Sequence, residues 1–90
     1  MHNFEISEKL DKILYKISNK NPQLHKQIIN KIKEIINSEN IQRYKNLRNT
    51  LKNYKRVHIG HFVLIFKHNK KDNSLFFEDF DHHYKIYIKK

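Results

Sequence analysis

Cysteine is absent from this chain of 90 residues. That excludes a disulfide framework and any thiolate metal site, and makes a reducing compartment, the cytoplasm, the natural setting. Long apolar runs are absent too, and none approaches the ~18 residues of a membrane span. The opening "MHNFEIS" has no basic stretch followed by an apolar one, so it does not read as a secretion signal. Glycine and proline occur once each. No linker, repeat or low-complexity tract divides the chain, and a single domain over residues 1–90 is expected. Acidic residues are scarce: nine Asp and Glu face nineteen Lys and Arg, for a formal charge of +10. Sixteen of those cations are lysines, which suits a solvated surface. The size of the surplus nevertheless favours a polyanionic partner, either nucleic acid or an acidic protein. A membrane partner is not expected, because neither amphipathic helix pairs its basic face with interfacial aromatics.

What is present falls into two halves. Phe4 to Ile6 read as a short opening strand. Ser7 can cap the next segment, "SEKLDKILYKISN", in which Leu10, Ile13, Leu14 and Ile17 share one helical stripe. Asn21 then caps a second helix with Pro22 at its first position, where the missing N–H costs nothing. That helix turns Leu24, Ile28, Ile32, Ile35 and Ile36 toward a core. The polar stretch "SENIQRYKNLRNT" reads as a connecting loop. After it the pattern becomes β-branched and aromatic, in "YKRVHI", "HFVLIFK" and "SLFFEDF", punctuated by Gly60 and by "HNKKDN". These runs predict an antiparallel meander, with "HFVLIFK" central because it is apolar on both faces. The tail "HHYKIYIKK" is too short to assign. The expected fold class is α+β, an N-terminal helical hairpin packed on one face of a small antiparallel sheet. The other face is expected to be open, polar and basic.

Alternation places Arg56 and His58 on one side of their strand and Val57 and Ile59 on the core side. A guanidinium beside an imidazole can neutralise a phosphate and move a proton, although any half-solvated strand also carries polar side chains. His61 follows Gly60 in the turn. With His58 it forms H-x-x-H, but a strand and a turn do not aim both rings at one point, and no metal or cofactor is expected. His82 and His83 end the last strand, with Tyr87 one helical turn past His83. Lys45, Arg48, Lys52 and Lys55, interleaved with Tyr44 and Tyr54, form a candidate track for an RNA backbone with rings that could stack bases. The same stretch also fits a plain solvated loop.

Strand, helical hairpin, basic loop, meander and His-Tyr tail together resemble the RelE/ParE superfamily of toxin–antitoxin ribonucleases over nearly the whole chain. The resemblance is tightest over "YKRVHIGHFVLIFK" and "DFDHHYKIY", which look like the RelE/StbE and YafQ-like branch. It implies an mRNA endonuclease acting on message at the ribosome without metal, through attack of a ribose 2′-OH on the adjacent phosphate, and neutralised by a cognate antitoxin. By the same resemblance His58 and His83 would be the proton-transfer pair and Arg56 would steady the phosphate. His82 would position His83 or contact phosphate, and Lys45 would be a weaker candidate. Two positions depart from the pattern. Val63 stands where many relatives carry an arginine, and His61-Phe62 stands where YafQ-like relatives have an acid-aromatic pair, so His61 would substitute in part. Those departures keep open a ParE-like toxin that inhibits gyrase without cleaving RNA, and a plain RNA-binding module is the third reading.

Overall fold

Ser7 starts the first helix by satisfying it. Its side chain accepts the Leu10 N–H at 2.9 Å, while its own hydroxyl donates to the Glu78 carbonyl at 2.6 Å. One residue thereby caps α1 (Glu8–Lys20) and ties it to the last strand. Asn21 serves two helices. Its N–H donates to the Ile17 carbonyl at the end of α1, and its Oδ1 accepts from Leu24 at the start of α2 (Pro22–Ile36). The two helices meet at this one-residue junction and pack on one core as a hairpin. The predicted stripe of α2 is buried at Ile28, Ile32, Ile35 and Ile36, with Leu24 partly so. The computed structural model describes residues 2–47 and 53–88, without the side chains of His83, Tyr87 and Ile88.

The sheet runs β1 (Asn3–Ile6), β4 (Ser74–His82), β3 (Phe62–Asn69), β2 (Lys55–Ile59) from edge to edge. β2, β3 and β4 form the expected meander, and β3 is flanked on both sides. β1 adds a parallel pair against β4, so the sheet is mixed. The hairpin covers one face. There Phe66, wholly buried, meets the rings of Tyr44 and Phe77 at centroid distances of 5.7 and 5.5 Å. No helix among the described residues is long and apolar enough to cross a membrane.

The second face differs from the expectation of an open polar surface. Val63, Ile65, Leu47 and Ile86 form a separate buried cluster there, with Tyr54 packed against it. The tail coils into α3 (His83–Ile88) to deliver Ile86. The reason lies in β3 itself, since a strand apolar on both faces must be covered on both. The connection is not simply solvated either. Ile41, Tyr44 and Leu47 are buried, and Tyr44 gives its ring to the core rather than to a stacking surface.

β2 and β3 are joined by Gly60 and His61 alone, since Ile59 pairs with Phe62. Gly60 has φ +61°, the leading position of a II′-type hairpin turn. A Cβ there would meet nothing within 4 Å, so only backbone conformation opposes one. Gly60→Ala should therefore cost about 1–2 kcal/mol, measurable as a lower urea midpoint with an unchanged m-value.

Candidate functional site

β2 is an edge strand, and its outer side is bordered by the loop before it. The Arg56 N–H donates to the Lys45 carbonyl at 2.9 Å, and Asn46 forms a bridge with Lys55. A cleft of about 330 Å³ results, lined by Arg43, Lys45, Arg56 and His58 with Tyr44 and Val57. Register fixes the direction of the two central groups. Arg56 pairs with Ile65 and His58 with Val63, both members of the second cluster, while Val57 and Ile59 pack on the main core. His58 is exposed and Arg56 half-buried. Arg56, Lys45 and one imidazole around a small cleft can hold a phosphate and exchange a proton with a group bound there. Arg43 donates to the Tyr44 hydroxyl at 2.9 Å and lies 3.6 Å from Glu34 Oε2. Arg43 was not singled out from the sequence. It reaches the cleft because the turn Ile41–Arg43 packs Tyr44 inward and leaves its neighbour outside.

A bulge decides which β4 residues join this face. Phe66 pairs with Phe77, but Ile65 pairs with Asp79, so Glu78 is an extra residue in β4. Alternation counted from Phe77 would turn Asp81 toward the helices, where Asp79, at the bulge, is buried and pairs with Lys9 of α1 at 3.0 Å. The extra residue reverses that parity, puts Phe80 in the main core, and sets Asp81 beside Val63 in line with His58. Asp81 is thus a carboxylate in the same row as His58 that the sequence reading missed. Its Oδ1 also accepts the His82 N–H at 2.8 Å. His83 opens α3 two residues later, which brings its backbone to this end of the sheet. The side chains of His83 and Tyr87 lie outside the described set, as do Arg48 and Lys52.

The other histidines separate from His58. His82 pairs with Phe62, which packs on the main core, and its ring meets the Phe62 ring edge-on at 5.7 Å. His61 stacks on His82 with centroids 6.2 Å apart and planes 12° apart. His61 also lines a smaller cleft with Leu24 and Gln27 of α2, on the hairpin side. The expected cluster is therefore divided, with Arg56 and His58 on one side of the sheet and His61 and His82 on the other. Among the described residues no three metal-ligating side chains converge.

Of the basic track, Lys45 is exposed at the rim of the β2 cleft. Lys55 is buried instead, since it faces Phe66 across the pair. Its Nζ donates to the Tyr44 carbonyl at 3.1 Å and to Asn46 Oδ1 at 2.9 Å. Burial, and next the nearby charge of Lys70, lower its pKa below the ordinary lysine value of 10.5. Such a lysine penalises the fold while it is charged, and the penalty is relieved as pH rises through the lowered pKa toward 10.5. The stability contribution of Lys55 should accordingly increase with alkaline pH. Lys55→Met should flatten that rise in a series of urea midpoints.

The hairpin on a four-stranded sheet is similar to solved toxin structures. YafQ of Escherichia coli BL21(DE3) superposes with a TM-score of 0.73 at 20% identity, over 97% of this chain and 99% of that one. The toxin–antitoxin complex RelBE2 of Mycobacterium tuberculosis matches with a TM-score of 0.69 at 15% identity, over 91% of this chain and 98% of that one. At such identities these likenesses define a class of fold, the α+β toxin fold. No family model matches the chain. A sequence relative does, at 45% identity over all of this chain and 95% of its own length: "Putative toxin RelE4" of Methanocaldococcus jannaschii. The chain belongs to the RelE superfamily of toxins.

Proposed function

We propose that this toxin is an mRNA interferase, a ribosome-dependent endoribonuclease that cleaves message by metal-independent attack of a ribose 2′-OH. The observation that carries the reading is the β2 cleft, lined by Arg56 and His58 on the sheet face to which the register also assigns Asp81. In the reaction a base removes the 2′-OH proton and O2′ bonds to phosphorus. The P–O5′ bond then breaks as an acid protonates the leaving oxygen, giving a 2′,3′-cyclic phosphate and a 5′-hydroxyl. His58 takes one proton role and His83 the other. Arg56, with Lys45 at the rim, offsets charge that builds on the phosphorane oxygens. His82 and Tyr87 contact RNA near the tail, Arg48 and Lys52 extend the basic track, and His61 plays a secondary part from the turn. A cytoplasmic setting follows from the substrate. A cognate antitoxin with acidic segments is the protein partner, in keeping with the charge of +10 and with a structural neighbour solved as a toxin–antitoxin complex.

Val63 favours a second reading. It is fully buried beneath α3 and offers no charge to a phosphate, so the same fold could act on gyrase without cleaving RNA. Primer extension on message from cells expressing the chain separates the two. Codon-phased cuts that vanish in His83→Ala support the interferase. Intact message with failed supercoiling supports gyrase inhibition.

A further inference from the structure

At the opposite end of β3 lies a larger cleft, and it originates in unequal strand lengths. β2 begins at Lys55 opposite Phe66, so β3 runs on past it through Lys67, His68 and Asn69. Loop side chains border the gap and enclose about 670 Å³, within the ~300–1,000 Å³ of ligand sites. Lys55, Lys67 and Lys70 line it beside the amides of Asn46 and Asn53 and the ring of Phe76, with no carboxylate among the described lining residues. Lys67 Nζ lies 5.1 Å from the centroid of the Tyr54 ring and 5.9 Å from that of Phe76. Lys55 is fixed by the Tyr44 carbonyl and Asn46, and its third N–H has no acceptor among the described residues. The lowered pKa of Lys55, to which Lys70 contributes, agrees with a cleft whose positive charge is not offset from within.

We infer that this cleft binds one nucleotide of single-stranded RNA, its phosphate between the Lys67 and Lys70 ammonium groups and its base against Phe76 and the Asn46 and Asn53 amides. Point charges for phosphate, an aromatic face for a base and amides for its edge are the combination that single-stranded RNA sites use. An acidic peptide would need the lysines but neither the ring nor the amides. The inference rests on the proposed RNA-cleaving function and extends it. Lys67 lies four residue steps along β3 from Val63, about 13 Å of strand, so a strand bound at His58 could continue into the cleft and be held at two places.

The test uses a fluorescein-labelled single-stranded RNA of mixed sequence with 2′-O-methyl riboses, which 2′-OH attack cannot cleave. Lys67 and Lys70 are exposed, so the double variant Lys67→Gln/Lys70→Gln should unfold at the wild-type temperature. Its Kd for this RNA by anisotropy should rise about 5- to 20-fold, and the slope of log affinity against log salt should shrink by about 1. Phe76→Leu should weaken binding about fivefold or more with the salt slope unchanged. Wild-type affinity in both variants overturns the inference alone. So does unchanged RNA binding with weakened binding of the antitoxin, which would assign the cleft to the protein partner. A wild-type chain that binds no RNA also overturns the inference alone, because cleavage on the ribosome is read separately by primer extension.

Discussion

His58→Ala is expected to slow RNA cleavage on message-programmed ribosomes by about 10²- to 10⁴-fold, the usual contribution of one positioned acid or base. The loss should fall on the single-turnover rate rather than on affinity. RNA would still meet Arg56 and Lys45, which line the same cleft. Folding should survive, because His58 is exposed on β2 and its removal empties no packed site; changes at such surfaces usually stay within about 0.5 kcal/mol. Arg56→Ala should also slow the reaction, by about 10²- to 10³-fold, through lost stabilisation of charge in the transition state. The comparison with His61→Ala is the informative control. The His61 ring stacks on His82 on the hairpin side, so its removal should slow the reaction far less. A His58→Ala rate equal to wild type would remove β2 from the proton transfer altogether.

Phe66→Ala should cost about 3–5 kcal/mol, the range for deleting a buried aromatic ring. Phe66 has no exposed surface, packs edge-on against Tyr44, and lies tilted against Phe77. It also sits beside the bulge that resets the register of β4. Collapse into the vacated volume is therefore opposed from three directions: by the hairpin, by Phe77, and by the turn that carries Tyr44. Small domains have only about 5–15 kcal/mol in total, so the variant should unfold at much lower urea or not fold at all. Tyr84→Ala, at a side chain 65% exposed on α3, should by contrast change stability by no more than about 0.5 kcal/mol. Equal midpoints for the two variants would contradict the placement of the core.

The parts of the fold that could be read from the sequence are those set by local chemistry. Ser7, Asn21 with Pro22, and Gly60 each act on backbone groups within a few residues, and each marks the boundary it was expected to mark. The helical stripes follow from periodicity, and the central strand from being apolar on both faces. The parts that could not be read depend on distant pairing. Nothing near Asn3–Ile6 says that this strand will lie parallel to β4, and nothing in "HHYKIYIKK" says that Ile86 will meet Val63 and Ile65. The site divides in the same way. Alternation within β2 was enough to turn Arg56 and His58 together. The parity of β4 changes at Glu78, which counting by twos cannot detect, and so Asp81 went unnoticed. Tyr44 and Lys55 looked like surface groups because their neighbours are polar. Tyr44 is buried because the loop carries it back over Phe66, and Lys55 because it pairs opposite Phe66 at the start of β2.

The ends of the cleaved RNA test the central claim most directly. If imidazoles move both protons and the ribose supplies the nucleophile, the purified toxin, dialysed against a chelator before it is added to programmed ribosomes, leaves a 2′,3′-cyclic phosphate and a 5′-hydroxyl, resolved by mass spectrometry. A 5′-phosphate would mean that water, not the 2′-OH, attacks phosphorus, and would contradict the account.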